Sequence, residues 1–508
     1  MDPAPPVLWG KVLDQSLCIG CHACSTACKS ENEVPISVQR TYVKSVEVGT
    51  FPDVRRSFQV TRCNQCQNPP CVEACPTAAM FQRPDGIVDF DKSACIGCKA
   101  CIAACPYDAI FINPTDHSAE KCNFCAHRLE MGLEPACVVA CPVQAISVGN
   151  LLDPASKVAR TIAAEPVAVR RPEQQTQPKV FYVGASSATL EPLAARRPDG
   201  GLYMWSQQPS GPAEVGAGVP SGWNSSAAAV LAYDVSHHAP WDWRVSLYTW
   251  SKGIAAGAYL TPLLLLALGG LAASSPLWRF AAPLVGGFFL ALTGSILIWD
   301  LEHPGRFLYL FRRPQWRSWL VRGGILITAY GLLLLIHLLL ALAGDDRVLA
   351  ALAVIGAPLA VAAAAYTAYL FAQAKARELW QSRLLAPHLL VQALYLGAAV
   401  MLPAAAALDR SALAPLAWVL AAGALGHLVL TGWECRARHA STQARLAVHN
   451  LVRGRYRAAF WSGLVLVGLS LTAPLLNGLV VLAALPALAG LFLHEHAYIQ
   501  AGQSVPLA

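Results

Sequence analysis

Long apolar runs separated by short polar loops fill the second half of the chain. They predict eight membrane-spanning helices, at about 247–271, 279–300, 319–343, 348–374, 385–408, 412–433, 458–476 and 478–495. Each run has about twenty residues or more, which is enough to cross a hydrocarbon core of ~30 Å. Frequent glycine and alanine, as in 253–258, favour close contact between helices. The pattern therefore predicts an all-α polytopic membrane domain over residues 241–508.

The first 150 residues have a different pattern. Short runs of alternating apolar and polar residues, such as 42–46 and 86–90, predict small strands. Segments that directly follow Cys-Pro pairs, such as 77–80 and 107–110, predict short helical turns. We therefore expect an α+β domain at residues 1–150. Its first residues contain neither a twin arginine nor an apolar stretch, so we predict no cleavable signal there.

Residues 151–240 connect these two regions. They are rich in Pro, Gly, Ser and Gln and have no sustained period. A connection of this length without its own elements is unusual in a compact protein. It is either an extended strap laid over the first domain and the membrane surface or a disordered linker. Trp205, Trp223 and Trp241 favour the strap, because disordered segments are usually poor in aromatic residues.

Composition supports the membrane interpretation. Of the 508 residues, 55% are hydrophobic and only 14% are charged, which is too apolar for a soluble protein of this length. The formal net charge of +7 raises the alternative of nucleic-acid binding. However, the arginines of the second half lie in short loops between apolar runs, and no nucleic-acid-binding signature accompanies them. We therefore expect a lipid bilayer as a partner and no nucleic acid.

The distribution of basic residues predicts the orientation. Fourteen lysines and arginines lie in loops and helix ends on the side of the first domain, against three on the opposite side. Short loops rich in Lys and Arg stay in the cytoplasm. We therefore predict a multi-pass protein of the inner, cytoplasmic membrane, with the first domain on the cytoplasmic side.

Cysteines dominate the chemistry of the first domain. Sixteen of the seventeen lie in four groups of four: Cys18, Cys21, Cys24 and Cys28; Cys63, Cys66, Cys71 and Cys75; Cys95, Cys98, Cys101 and Cys105; Cys122, Cys125, Cys137 and Cys141. The third group has the C-x2-C-x2-C-x3-C-P spacing in which three cysteines hold one [4Fe–4S] cluster and the fourth reaches a second one. Sixteen soft thiolates are enough for four [4Fe–4S] clusters.

Disulfides and zinc are the alternatives for these cysteines. Disulfides are typical of small secreted domains, and C-x2-C spacing gives poor disulfide geometry. Zinc knuckles also use C-x2-C pairs, but they do not require a third cysteine three residues further on. Iron–sulfur clusters are therefore the favoured interpretation. The remaining cysteine, Cys435, is interpreted as a small apolar residue.

With these motifs in place, the chain resembles a fusion of two subunits of the complex iron–sulfur molybdoenzyme family. Residues 10–150 resemble the ferredoxin-like, four-cluster electron-transfer subunits of dimethyl sulfoxide reductase and polysulfide reductase. Residues 240–508 resemble the haem-free, quinone-binding membrane subunit of polysulfide reductase. Within them, DLEHPGRF at 300–307 is similar to the family's DLGRPxRF, with Glu302 and His303 where Gly and Arg are common.

The resemblance also implies which cysteines share a cluster. The implied sets are Cys18, Cys21, Cys24 with Cys141; Cys122, Cys125, Cys137 with Cys28; Cys63, Cys66, Cys71 with Cys105; and Cys95, Cys98, Cys101 with Cys75. Some relatives replace the residue at the position of Cys98 and hold a three-iron cluster, so a full cubane is expected here. The implied function is electron transfer between a separate molybdenum or tungsten bis-pterin catalytic subunit and a membrane quinone, either menaquinone or ubiquinone.

A quinone site needs acid–base groups near the last cluster, and ionisable residues within spans suggest function. The candidate quinone residues are Lys252, Asp300, His303, Tyr366 and Tyr369, with Arg306 and Glu434 in their vicinity. A structural alternative is an ion pair between Lys252 and Asp300. Groups at helix ends, including His494 and Glu495 at the end of the eighth helix, can also lie at the interface without chemistry.

Histidines within the spans are a separate question. His337 and His427 are interpreted as lone packing residues. Because paired axial histidines on facing helices are not evident, we expect no haem.

Two further functions remain open at this point. The same quinone-linked module could serve a hydrogenase or a larger quinol-oxidising respiratory complex. A zinc-binding membrane scaffold is a third hypothesis. In either redox function, the chain is expected to hold a quinone site but no substrate-reducing active site of its own.

Overall fold

The computed structural model describes residues 6–198, 214–215, 228–344, 346–439 and 441–508. Trp205 and Trp223, which favoured a strap, lie outside the described residues. A strand-containing iron–sulfur region comes first in the chain, and a bundle of long helices follows it. The predicted α+β region and helical region are thus confirmed.

Thirteen strands form in the described residues. They are β1 Trp9–Asp14, β2 Thr41–Thr50, β3 Asp53–Arg62, β4 Met80–Gln82, β5 Val88–Phe90, β6 Ile110–Ile112, β7 Ala119–Lys121, β8 Ile146–Asn150, β9 Val167–Ala168, β10 Val180–Val183, β11 Glu214–Val215, β12 Ala229–Tyr233 and β13 His237–His238. The largest sheet has the order β8-β1-β10-β9, and a second sheet has the order β12-β2-β3. Three two-stranded ladders pair β4 with β5, β6 with β7 and β11 with β13.

The cysteine region contains only short helices, α1 Ala23–Glu31, α2 Pro70–Ala74, α3 Ala100–Ala104, α4 Ala126–Glu130 and α5 Ala136–Val139. The prediction of helical turns after the Cys-Pro pairs is wrong at 77–80 and 107–110. There, Ala78 and Asp108 have φ of 54° and 50°, which a right-handed helix excludes. The helices α2 and α3 instead precede the Cys-Pro pairs, and each turn leads directly into a strand.

The described parts of the connecting region pack on the iron–sulfur region. Helices α6 Lys157–Ala164 and α7 Ser187–Leu190 flank β10, which pairs in parallel with β1. Further along, β12 adds to the edge of β2. The indole of Trp241 stacks on Trp380 and donates a hydrogen bond to the carbonyl of Cys98, 3.4 Å away. These contacts join the connection to both halves of the molecule.

The helical region consists of α8 Trp243–Ala267, α9 Ala282–Trp299, α10 Tyr309–Arg312, α11 Trp319–Ala343, α12 Asp346–Ala372, α13 Leu385–Leu408, α14 Leu413–Arg436, α15 Thr442–Val452, α16 Arg457–Leu469 and α17 Ala484–Gln503. A π-helical turn, Leu277–Ala281, precedes α9, and 3-10 turns link α16 to α17. Asp242 caps α8 by accepting a hydrogen bond from the Arg244 N–H. Gly344, with φ of 77°, ends α11.

Seven segments of the described chain are long and apolar enough to cross a membrane: Leu277–Trp299, Trp319–Ala343, Arg347–Ala372, Leu385–Leu408, Arg410–Arg436, Arg457–Leu475 and Asn477–Gln503. The first predicted span does form a helix, α8, but this helix is not among the seven. It carries the polar stretch 246–252 and is mostly buried among other helices. Eight spanning helices therefore remain a prediction.

The last helix is longer than the hydrophobic pattern indicated. We predicted an end at residue 495, where charged and polar side chains begin, but α17 continues to Gln503. His494 and Glu495 are thus inside the helix rather than at its end, and the prediction of their position is wrong. The reason is that the polar side chains of this last part face protein, since His494, Glu495 and Gln500 are all buried.

Small residues allow the centre of the bundle to pack closely. A Cβ at Gly257 on α8 would collide with the backbone of α13 at Ala393 and Gly397. Reciprocally, a Cβ at Gly397 would collide with the Gly257 carbonyl. The two backbones are therefore in direct contact, as glycine permits in membrane helices.

We expect Gly257→Ala to lower the apparent melting temperature of the detergent-purified protein by several degrees, because overpacking costs about 1–3 kcal/mol. The matched control is Gly294→Ala on α9, where a Cβ would meet nothing within 4 Å. It should be neutral or slightly stabilising, since alanine is the better helix former. Thermal unfolding followed by size-exclusion chromatography checks both variants. Equal stability of Gly257→Ala and the unchanged protein would contradict direct contact between the α8 and α13 backbones.

Candidate functional site

The four cysteine groups share one local backbone conformation. In each, the residue directly before the second cysteine has a positive φ: Gly20 (69°), Gln65 (48°), Gly97 (70°) and Phe124 (62°). This left-handed geometry costs energy for residues other than glycine. Its fourfold occurrence indicates that each C-x2-C loop is folded to direct two sulfur atoms to the same side.

Burial and neighbouring sulfurs raise the pKa of many of these thiols. For Cys28, burial raises the pKa to about 12, with a further contribution from the sulfurs of Cys122, Cys137 and Cys125. For Cys71, burial comes first and the sulfurs of Cys63, Cys105 and Cys66 add to it. For Cys101, burial is followed by Cys98, Cys75 and Cys95. For Cys18, burial raises the pKa most, the Gly20 backbone hydrogen bond opposes the shift, and the sulfurs of Cys141 and Cys21 add to it. Metal ligation is the ordinary way to hold such thiols deprotonated.

Two cavities lie at these cysteines. The cysteines that line one of them are Cys75, Cys95, Cys98 and Cys101. The cysteines that line the other are Cys28, Cys122, Cys125 and Cys137. In each cavity, three cysteines of one group meet one cysteine of another group.

The sulfur spacing separates a cluster from a single ion. Four thiolates bound to zinc at ~2.3 Å would have sulfur atoms about 3.8 Å apart. Among the described residues, which include all sixteen cysteines, no three cysteines have sulfur atoms that all lie within 4.8 Å of one another. The cysteine sets are therefore too wide for one zinc ion and fit a larger iron–sulfur cluster.

Two buried cations adjoin one of these sulfurs. The Lys11 Nζ lies 3.9 Å from the Cys137 Sγ, and an Arg62 nitrogen donates to the same sulfur over 3.1 Å. Both cations are essentially buried. Although burial alone would raise the pKa of Cys137, Lys11 and Arg62 lower it to about 7. Sequence reasoning missed both residues, because a basic residue in an alternating strand looks solvent-exposed.

The loop after α9 attaches to the third cysteine group. Arg306 donates to the carbonyls of Lys92 and Cys95, each over 2.9 Å. The backbone N–H of His303 donates to the Ile96 carbonyl, 3.2 Å away, and its ring lies 3.3 Å from the Ser118 hydroxyl. These two predicted quinone residues thus hold the membrane region against the iron–sulfur region.

Glycine at residue 97 makes this attachment possible. A Cβ at Gly97 would collide with the side chain of Glu302, which also forms an ion pair of 2.9 Å with Lys99.

Asp300 follows α9 and lies beside the same cysteine group. Its carboxylate is 3.2 Å from Arg244 and 3.9 Å from Lys99. Burial raises the pKa of Asp300 to about 6, although these two cations oppose the shift. Its charge also acts on the Cys98 thiol. The structural alternative, an ion pair with Lys252, does not form, because Asp300 pairs with Arg244 and Lys252 donates to the Ala364 carbonyl.

Lys252 and Tyr366 lie together deeper in the bundle. The Lys252 Nζ donates to the Ala364 carbonyl over 2.6 Å and lies 4.7 Å from the centre of the Tyr366 ring. Tyr248, one turn before Lys252 on α8, is also buried, and sequence reasoning did not single it out.

Two other predicted residues are elsewhere. Tyr369 is 48% exposed and stacks on Trp319, on the outside of the bundle. Glu434 is buried and accepts a hydrogen bond of 3.1 Å from the Tyr498 hydroxyl.

Of the two histidines predicted to be lone packing residues, His337 and His427, one has other histidines beside it. His337 is single and contacts the Trp278 carbonyl over 3.0 Å. The interpretation of His427 as a lone packing residue is wrong, because its ring is next to those of His388 and His494.

A strand-bearing iron–sulfur region joined to a polytopic helical region, with the loop after α9 at their contact, defines the class of protein. Residues 54–151 match the family described as 4Fe-4S dicluster domain, and residues 233–507 match the family described as Polysulphide reductase, NrfD. The chain therefore belongs to the NrfD family, and it joins an iron–sulfur domain and a multi-pass membrane domain in one polypeptide.

Three relatives extend this result. A component of the polysulfide reductase of Wolinella succinogenes is 44% identical over 186 residues, which cover 36% of this chain and 97% of the relative. A component of the tetrathionate reductase of Salmonella typhimurium is 42% identical over 197 residues, 38% of this chain and 79% of the relative. The arsenate respiratory reductase iron–sulfur subunit ArrB of a Shewanella species is 36% identical over 222 residues, 34% of this chain and 95% of the relative.

One buried ion pair attaches the connecting region close to the cysteines. His237 lies 2.5 Å from the Asp108 carboxylate and 3.3 Å from that of Asp234. Burial alone would lower the pKa of His237, but the two carboxylates outweigh it and raise the pKa to about 10. Asp108 is three residues after Cys105, so this contact holds the segment before α8 on the iron–sulfur region.

This shift predicts a pH dependence of stability. The folded His237 is protonated, whereas an unfolded histidine has a pKa of about 6.5. Its stabilisation is therefore complete below pH ~6.5 and is lost as the pH rises toward the folded value of about 10. We expect His237→Asn to cost about 3 kcal/mol at pH 6.5 and to flatten the decline of melting temperature between pH ~6.5 and ~9.

The matched control is His127→Asn, which removes an exposed contact with Glu31 and should leave the pH profile unchanged. Thermal unfolding across pH checks both variants. An undiminished pH slope in His237→Asn would show that this histidine is not the charged group.

Proposed function

We propose that this chain transfers electrons between a molybdenum or tungsten bis-pterin catalytic subunit and a membrane quinone, and that it anchors that subunit to the membrane. The attachment of loop 300–306 to residues 92–99 carries the proposal. It sets one cysteine-lined cavity directly against the membrane region. The reductase names of the relatives support a catalytic partner.

Four [4Fe–4S] clusters would supply one-electron transfer along the iron–sulfur region. We assign their ligands to four sets: Cys18, Cys21, Cys24 and Cys141; Cys28, Cys122, Cys125 and Cys137; Cys63, Cys66, Cys71 and Cys105; Cys75, Cys95, Cys98 and Cys101. The neighbouring sulfurs and the two cavities support this assignment.

Backbone N–H groups stabilise the charge on the ligand sulfurs. The N–H of Met80 donates to Cys75 over 3.3 Å and that of Ala119 to Cys95 over 3.4 Å. Such bonds are among the factors that set a cluster's reduction potential.

The quinone, menaquinone or ubiquinone, would bind on the membrane side of the set that contains Cys98. We assign the proton chemistry to Asp300, Lys252 and Tyr366. Asp300 would hold and release a proton beside the cluster, and Tyr366 would donate a hydrogen bond to a quinone carbonyl. Lys252 would orient Tyr366 and balance charge. This assignment leaves His303 and Arg306 with an attachment role, and it sets aside Tyr369 and Glu434.

For the organisation in the cell, we propose an inner-membrane protein with eight spans and with its iron–sulfur domain in the cytoplasm. Basic loops on the iron–sulfur side support this orientation. The proposed divisions are a cluster domain at 1–150, a strap at 151–240 and a membrane domain at 241–508. We propose no haem.

Two alternatives differ in measurable ways. A hydrogenase or a larger quinol-oxidising complex would use the same chain, and co-purified nickel, instead of molybdenum or tungsten, would favour it. A zinc-bound scaffold would be colourless, and the wide sulfur spacing opposes it.

The cluster assignment predicts about sixteen irons per chain, four for each of four clusters. We expect Cys98→Ser to lose between about one and four irons and to change one paramagnetic signal of the reduced protein, because only one set loses a ligand. The control is Cys435→Ser, which lies outside the four sets. Iron analysis and electron paramagnetic resonance under anaerobic conditions check this. Full iron with an unchanged spectrum in Cys98→Ser would contradict the assignment.

The quinone site predicts slower discharge of reduced clusters by an added quinone. Loss of an acid–base group typically costs a factor of 10² to 10⁴, so Asp300→Asn should slow oxidation by about a hundredfold. Tyr366→Phe should slow it by about tenfold, the effect of one lost hydrogen bond to the reacting carbonyl. The control is Tyr369→Phe, which alters the exposed tyrosine of the same helix. Stopped-flow absorbance follows the rate at matched iron content. Unchanged rates in both Asp300→Asn and Tyr366→Phe would remove the quinone from this position.

A further inference from the structure

Three histidines from three different helices meet inside the membrane region. His388 is on α13, His427 on α14 and His494 on α17, and all three are buried. Each offers a ring nitrogen, and these three nitrogens all lie within 4.8 Å of one another. Among the described residues, no other group of metal-ligating side chains converges so closely.

The spacing of the rings matches a shared metal ion. Zinc–nitrogen bonds of ~2.0–2.1 Å imply ring centres about 5 Å apart in a tetrahedral site. The three ring centres are 4.8, 6.1 and 4.4 Å apart. The His388 Nε2 and the His427 Nδ1 form a hydrogen bond of 2.8 Å, which a shared ion would replace; two nitrogens on one zinc ion lie about half an ångström further apart. A small rotation of the side chains would therefore complete the geometry.

Hydrogen bonds within the protein do not satisfy every ring nitrogen of the three histidines. The His427 Nε2 and the His494 Nδ1 are buried and have no hydrogen-bond partner in the described part of the chain. An unpaired polar atom in an apolar interior costs about 1–3 kcal/mol. Imidazole nitrogens are good ligands for zinc, copper, iron and nickel, and each histidine would give one of its two ring nitrogens to a bound ion.

The surroundings can balance the charge of a cation. A small cavity is lined by two of the three histidines, His388 and His494, and also by Gln392 and Glu495. The Glu495 carboxylate is buried, and its Oε2 has no hydrogen-bond partner among the described residues. A carboxylate nearby offsets the cost of burying a divalent ion. The same cavity leaves room for a fourth ligand, a water or the Gln392 oxygen.

We infer that His388, His427 and His494 bind one divalent transition-metal ion, of which zinc is the representative, separate from the iron–sulfur clusters. The ion joins α13, α14 and α17 at one point within the bundle. It therefore fixes the helices that enclose the cavity beside Glu495. This site does not depend on the proposed quinone chemistry.

The experiment uses the full-length protein, purified anaerobically in detergent with its iron intact, briefly exposed to Zn²⁺ and desalted. Elemental analysis should give about one zinc per polypeptide, and the zinc X-ray absorption spectrum should show a nitrogen shell at ~2.0 Å. His427→Ala and, as a more conservative change, His494→Gln should each reduce bound zinc about tenfold or more. Zn²⁺ should raise the melting temperature of the unchanged protein and should leave that of these variants as it is.

The matched control is His337→Ala, because this histidine is also buried, with an unpartnered Nδ1, but contacts no second histidine ligand. It should retain the zinc. Three outcomes would each overturn the inference: no zinc above trace at full iron content, equal zinc in His494→Gln and the unchanged protein, or a sulfur shell at ~2.3 Å, which would report zinc in the cysteine sites.

Discussion

The contact between the loop after α9 and the third cysteine group is the interaction on which the architecture depends. Arg306 reaches two carbonyls of the iron–sulfur region, and Glu302 reaches Lys99. Charge-assisted hydrogen bonds of this kind are stronger and more directional than neutral ones. They set a cysteine-lined cavity and the carboxylate of Asp300 side by side at the boundary of two otherwise different folds.

Charged side chains are buried in two different surroundings, the iron–sulfur region and the helical bundle. Within the iron–sulfur region, Lys11 and Arg62 lie against a sulfur atom, where cations favour the anionic thiolate. Within the helices, Lys252 and Glu495 are buried, and Lys252 donates a hydrogen bond to the Ala364 carbonyl. Ionisable groups in such surroundings are costly unless they serve a site. The costs are thus concentrated at the cysteine sets and along α8 and α17.

The features that the sequence predicted best are those that depend on residues close together along the chain. The cysteine groups, the short strands and most helix bounds are local, and α11 and α13 begin and end at the predicted residues. What depends on distant partners was not predictable in the same way. The hydrophobic pattern ended the last helix at residue 495, because it could not show that Gln500 and Gln503 would be covered by Trp241.

The candidate site shows the same division. The motif at 300–307 drew attention to a loop that contacts the third cysteine group, but the partners of Asp300 are Arg244 and Lys99, which lie far from it in sequence. His388, His427 and His494 are each single within their own helices, so no periodicity could group them. Only the packing of three helices brings them together.

The covalent link between the two regions has a consequence for how they associate. The polysulfide reductase component of Wolinella succinogenes matches only 36% of this chain, whereas here the strand-bearing and helical parts are a single polypeptide. Tethering makes their docking intramolecular, with an effective concentration that can reach the millimolar range. A small polar contact then suffices to hold the halves in register, and their ratio is fixed at one to one during synthesis.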